Sequence, residues 1–282
     1  MRQSTDHILT THVGSLPRSQ TLVDALLKKD HGETYDPAEY DRVVSGAVQD
    51  AVNLQAKLGI DIPSDGEQSK VSYSTYMMDR LTGFGGDNER RVALDLKDYP
   101  EFRQKMARMT GTQEFRRSSC IGPVAVKDLS SLHTDIANLV SAAKAAGVAE
   151  AFMNSASPGL VTAFQPNKFY PSHEAYIGAL TDAMKEEYKA IVDAGLLLHD
   201  FRKFGNGDAA VLGFERVLEF LVGSRPERPD LDEIRIALHG SLSSVFIQCD
   251  PAGPAGGSRH WSPITAIPCW HCLITELLRF LH

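Results

Sequence analysis

Apolar residues recur at helical spacing in several long stretches of the chain, with short apolar runs standing between them. Tyr40, Val43, Val44, Ala47, Val48, Ala51, Val52 and Leu58 fall on one face of a helix. Asp36-Pro37-Ala38-Glu39 opens that helix with an Asp cap, a proline at the first helical position and an acidic first turn, and Gly59 closes it. Leu22, Leu26 and Leu27 predict a shorter helix over 20–29, capped by Ser19. Tyr176, Ile177, Leu180, Met184, Tyr188, Ile191 and Val192 predict a long helix from a Ser172 cap to about 193. Further helices are expected over 134–146 and 101–109.

The short runs over 8–13, 61–67, 120–126, 151–154 and 196–198 read as strands. Strands alternating with helices predict an α/β fold with parallel strands. Residues 70–88 read as a helical turn and then a loop. The charged stretch over 90–113 reads either as a lid or as a solvated excursion. After residue 198 the repeat loses its rhythm, with a helix expected over 208–222 and strands over 233–238 and 243–248. Residues 250–258 are rich in Gly and Pro and read as a loop, and 261–282 form an apolar tail without a place in the repeat. The expected organisation is therefore a β/α portion over 1–198, an irregular continuation over 199–249 and a tail over 250–282.

Candidate chemistry gathers at two of the strand ends. Asp61-Ile-Pro-Ser-Asp65-Gly66-Glu67 stops at two carboxylates, and Thr10-Thr-His12-Val13-Gly14-Ser15 stops at polar groups beside a glycine. In β/α folds ligands collect where strands end, so the two stretches are expected to wall one site. Each residue also has a plainer reading. Glu67 could cap the next helix or pair with Lys70, and Asp65 could hold its own turn. His12 could be a hydrogen-bonded core histidine, and Ser15 a cap. Cys269-Trp-His-Cys272 has a metal or redox spacing but lacks a second pair at finger-like distance.

Composition narrows the classes. The chain has 282 residues, 43% hydrophobic and 23% charged, as expected of a globular enzyme. A net charge of -7 argues against nucleic-acid binding. No apolar run approaches the roughly 20 residues that span a bilayer. The polar N-terminus lacks a signal-peptide core, so the four cysteines are expected as thiols and the chain in the cytoplasm.

Thr10 to Arg18, Gly59 to Glu67 and Phe169-Tyr-Pro-Ser-His-Glu-Ala-Tyr176 together resemble the cobalamin-independent methionine synthase family, and more narrowly the single-domain relatives of its catalytic barrel. The resemblance covers about residues 6–195. It implies a (β/α)8 TIM-barrel-like fold, irregular in the last third. It also implies methyl transfer from 5-methyltetrahydrofolate (polyglutamate) to homocysteine or a similar thiol through a zinc-bound thiolate. In the same way it implies that Val13, Gly14 and Ser15 receive the amino acid's carboxylate and Glu67 its ammonium; His12 and Asp65, at the same two strand ends, are expected to line the site. Arg117, Cys120 and Phe164 fall near its folate region, and His239 near its metal strand. Position 241 is Ser where the family's His-x-Cys pair needs Cys, and Asp200 is a distant match for its acidic contact. Two alternatives stay open: another zinc-thiol alkyl transferase of this fold, or a truncated, inactive remnant.

Overall fold

The structure, a computed structural model, describes residues 4–72, 75–86, 97–109, 118–201, 234–238 and 244–249. The chain divides into two units, Met1–Asp250 and Pro251–His282. The second unit, Arg117, His239 and the expected helix over 208–222 lie outside the described residues.

The helices are α1 (Gln20–Asp30), α2 (Pro37–Lys57), α3 (Tyr76–Arg80), α4 (Pro100–Met109), α5 (Ser130–Ala145), α6 (Pro158–Phe164) and α7 (His173–Asp193). The strands are β1 (Phe84–Gly85), β2 (Ser119–Cys120), β3 (Phe152–Ala156), β4 (Leu197–Phe201), β5 (Ile234–Leu238) and β6 (Ser244–Cys249). The expected caps are present. Ser19, Asp36 and Ser172 accept from the backbone N–H groups of Leu22, Ala38 and Ala175. α6 is the helix that sequence reading missed. Its signal was there, since Ser157 caps it by accepting from Leu160 N–H and Pro158 occupies its first position.

β3 and β4 pair in parallel, with Phe152 opposite Leu197 and Ala156 opposite Phe201. On the other side of β3, Ser64 bridges Phe152 in parallel, and Phe152 N–H donates to Pro63 O at 3.0 Å. Ile62 N–H in turn donates to Thr10 O at 3.1 Å, and Thr11 Oγ1 donates to Ile62 O at 2.6 Å. Residues 63–64 thus lie beside β3, and Thr10 and Thr11 lie beside Ile62.

Three expectations are corrected. Residues 8–13 form no strand ladder and are fastened largely through side chains. The stretch 120–126 does not join the row, because β2 pairs antiparallel with β1 and Val126 bridges Leu81. Pro123 has no N–H to give a ladder, and a central strand does not tolerate that. The sheet also runs β3-β4-β6-β5 with β6 antiparallel to both neighbours. Only residues 239–243 separate β5 from β6. A parallel crossover needs about a dozen residues or more, so this pair must form a hairpin. Among the described residues the strands do not close into a barrel.

The core lies between this sheet and α2, α5 and α7, where Val52, Leu132, Leu139, Met153, Leu180 and Tyr188 are buried together. Successive residues of a strand face opposite sides. Met153 joins that cluster, whereas Phe152 packs with Leu197, Val13 and Ile62. Within the core, Arg80 donates to Asp135 at 2.6 Å, lies 3.0 Å from Glu187 and stacks 4.7 Å from the centre of Tyr76. Ser155 of β3 donates to the same Glu187 at 2.7 Å.

Two predictions arise here. Gly83 takes φ +89, and a Cβ there would sit 2.7 Å from the carbonyl oxygens of Gly122 and Pro123. Gly83→Ala is expected to lower the unfolding free energy by about 2 kcal/mol, read by chemical denaturation; an unchanged midpoint would refute this packing. The second concerns Asp61, which accepts from His7 Nε2 at 2.8 Å and from the N–H and hydroxyl of Thr10 at 2.8 and 2.9 Å. The His7 contact first, then Thr10, pull its carboxyl from 3.8 down to about 2. Because the folded value is the lower one, the stabilisation is present above about pH 4 and is lost as pH falls towards about 2. Asp61→Asn should therefore flatten the acid side of a melting-temperature profile, and an unaltered slope there would count against the clasp.

Candidate functional site

The turn after Ser64 is built by its own side chains. Ser64 Oγ accepts from Gly66 N–H at 3.1 Å, and Asp65 Oδ1 accepts from Glu67 N–H at 2.9 Å. Leu16 N–H donates to Gly66 O at 3.0 Å, and the Arg18 guanidinium donates to the carbonyls of Glu67 and Lys70 at 2.7 Å each. Gly66 takes φ +60, and an added Cβ would lie 3.0 Å from Leu16 Cδ1. A side chain there would push the first segment off the turn. Glu67 follows at φ +57, the non-glycine left-handed residue among those described. That conformation costs about 1 kcal/mol or more and persists only where its surroundings hold it, as they do at ligand sites.

The turn aims the Glu67 carboxylate at two neighbours. Oε2 accepts from Ser15 Oγ at 2.5 Å, and Oε1 accepts from Asn154 Nδ2 at 2.8 Å. Glu67 is 5% exposed and Asn154 is fully buried, whereas Ser15 is exposed. A buried carboxylate is thus joined to the surface through one hydroxyl. The structure brings Ser15 and Glu67 into direct contact across 52 positions of sequence.

The two carboxylates do different work. Asp65 is 1% exposed, holds the Glu67 N–H and lies 3.5 Å from Lys70 Nζ, which also donates to Asn154 O at 3.0 Å. Asp65 is committed to the turn, and Lys70 pairs with it. His12 is half-buried, and its Nε2 is buried without a hydrogen-bond partner among the described residues. Val13 packs against Phe152 and Leu197, and Gly14 takes φ +104.

Two of the folate candidates, Cys120 and Phe164, are described, and Cys120 N–H donates to Pro166 O at 2.9 Å, two residues beyond Phe164. Cys120 is a core residue with no exposed surface, its Sγ 3.5 Å from Gly122 O, and burial pushes its thiol up. Phe164 ends α6 and is 41% exposed. Arg117 and His239 are outside the described residues, as is the Cys269–Cys272 pair. Sequence reading missed Asn154 and Arg18. Asn154 closes the apolar run over 151–154, but nothing local tied it to Glu67.

A cavity of about 190 Å³ lies apart from the Ser15–Glu67 contact, lined by Tyr40, Ser69, Lys70, Tyr76, Arg80 and Asp135 among others. Its buried ions are already paired, Arg80 with Asp135 and Glu187, and Lys70 with Asp65. Among the described residues no three His, Cys, Asp or Glu side chains converge as metal ligands, so these residues do not make a zinc site. No described helix is long and apolar enough to cross a membrane.

The family model of the cobalamin-independent synthase catalytic domain matches residues 8–93. Over 75 residues the chain is 33% identical to the 5-methyltetrahydropteroyltriglutamate–homocysteine methyltransferase of Mycolicibacterium paratuberculosis (strain ATCC BAA-968 / K-10), covering 27% of this chain and 10% of that protein. The B12-independent methionine synthase of Shewanella sp. W3-18-1, solved with selenomethionine, gives a TM-score of 0.48 at 20% identity, over 66% of this chain and 49% of that one. A Listeria monocytogenes structure described as a vitamin-B12 independent methionine synthase gives 0.49 at 17% identity, over 79% and 64%. The chain spans about a tenth of the curated relative and less than two thirds of either solved one.

Proposed function

We propose that this chain, whose residues 8–93 match a cobalamin-independent synthase catalytic domain, binds an amino-acid thiol and takes part in methyl transfer to it. The ligand in this reading is homocysteine or a similar thiol, the donor is a 5-methyltetrahydrofolate, and the fold is a variant of the (β/α)8 barrel. One observation carries it: the hydrogen-bonded trio Ser15, Glu67 and Asn154, brought together from three separate segments.

The trio suits an α-amino acid. An ionised carboxylate accepts hydrogen bonds only, and an ammonium offers three. As ligand enters, its ammonium replaces the Ser15 hydroxyl on Oε2 of Glu67. Ser15 Oγ is then free to turn and donate to the ligand's carboxylate, beside the backbone N–H groups of the Gly14 turn. These residues bind and orient the amino acid so that its sulfur meets the methyl group. In the transfer, a C–S bond forms as the N–CH3 bond of the folate breaks, and the departing nitrogen takes a proton. Zinc, which would supply a thiolate when bound, is implied by the family alone, and the described residues do not form its ligand set. Ser241, where a Cys ligand is expected, favours a second reading of the same site, a binder of amino acids without transfer activity.

Titration calorimetry of the full chain with L-homocysteine and L-methionine tests the site. Formation of labelled methionine from labelled methyl-folate, in added zinc, tests the transfer. Binding with transfer supports the first reading, and binding without transfer supports the second. A folded chain that binds neither amino acid overturns both.

A further inference from the structure

We infer that Arg18 is a positioning residue of this site: it sets the backbone of Glu67, and through it the direction of the carboxylate. The inference rests on the amino-acid-binding reading above and adds a residue on which binding depends without contact with the ligand.

Arg18 Nη2 donates to two carbonyl oxygens, those of Glu67 and Lys70, at 2.7 Å each. Glu67 O also accepts from Lys70 N–H at 3.1 Å, so the two carbonyls open and close one turn. One nitrogen therefore ties both ends of that turn. On the other side of the Glu67 Cα, its N–H donates to Asp65 Oδ1 at 2.9 Å. Peptide units are planar, so holding the one before Glu67 and the one after it fixes φ and ψ between them. The φ that results, +57, is one that a glutamate leaves when nothing holds it. Asp65 acts from within the turn, whereas Arg18 reaches it across 49 positions of sequence. Arg18 also follows Ser15 closely. Leu16, between them, donates its N–H to Gly66 O at 3.0 Å, and Pro17 stiffens the link. The same joint thus sets both partners of the Ser15–Glu67 contact. Without the guanidinium, Glu67 relaxes to an ordinary backbone, its carboxylate turns from Ser15 and Asn154, and the fraction of chains ready to bind falls.

Titration calorimetry of the full chain with L-methionine reads this. Arg18→Ala, with folding checked by circular dichroism, is expected to bind about tenfold more weakly, the scale of the strain that a left-handed residue releases. Arg18 is half-buried, so a small cation can reach the vacated place from solvent. Guanidinium chloride, far below the concentrations that unfold proteins, is expected to restore part of the loss, and potassium chloride at the same ionic strength is not. In a Glu67→Gln background the Arg18→Ala change is expected to add little, since both act through one group. Full affinity in folded Arg18→Ala, a loss that the two salts treat alike, or losses that simply add in the double variant overturn the inference and leave amino-acid binding standing. If Arg18→Ala does not fold, Arg18→Met decides, because it keeps an aliphatic stem and removes every donor: unchanged affinity there overturns the inference. An unsubstituted chain that does not bind L-methionine removes the amino-acid reading itself, and the inference with it.

Discussion

Arg80→Met is expected to lower the unfolding free energy by about 3–5 kcal/mol, the largest stability effect of any single change considered for this chain. Arg80 is 2% exposed and is the shared cation of Asp135 and Glu187. These carboxylates belong to α5 and α7, and Ser155 of β3 donates to Glu187. Removing the guanidinium strands two acids in the core, and burial already drives the Asp135 carboxyl above its ordinary range. Methionine keeps the bulk and the contact with Tyr76, so the loss reports charge rather than a cavity. Denaturant unfolding measures it. Asp135→Asn should cost less, because Arg80 retains Glu187. A loss in Arg80→Met below about 1 kcal/mol, the scale of a surface pair, would mean that the trio is not buried as described.

Glu67→Gln is expected to weaken amino-acid binding about a hundredfold while leaving unfolding nearly unchanged. The substitution keeps size and removes charge. The left-handed backbone at φ +57 is equally awkward for both side chains, so it cancels in the comparison. What changes is the acceptor for an ammonium, in a position 5% exposed where water shields little. Ser15→Ala should have the smaller effect, since it removes one exposed hydroxyl and leaves the carboxylate in place. Calorimetric titration of the two variants beside the unsubstituted chain gives the order. Affinity retained in Glu67→Gln would detach the carboxylate from ligand binding.

The elements that could be read from sequence are those specified by neighbours in the chain. α2 is announced by Asp36 and Pro37 and by an apolar stripe, and α7 by Ser172 and seven spaced apolar residues. The turn at 65–67 was visible because a glycine between two acids has few other uses. The rest depends on partners far away in sequence. Nothing near residue 120 shows that its neighbour is Phe84 rather than Phe152. Nothing near Asn154 shows that its amide meets an acid 87 positions earlier. Asp65 and Glu67 look alike as letters; the folded contacts separate them, Asp65 with the Glu67 N–H and Lys70, Glu67 with Ser15 and Asn154. β5 and β6 are a partial exception, because the short span between them already excluded a parallel pairing.

The first segment is pinned by Asp61, Thr10 and Thr11 rather than laced into a ladder. Such an arm can peel away without unzipping any strand, so its amide hydrogens should trade for deuterium long before those of β3. Because Ser15 rides on that arm, one of the trio's three members would leave with it. An occupant bridging Ser15 and Glu67 would act as a latch, and slowed exchange over residues 8–16 on its arrival would show the arm settling into place.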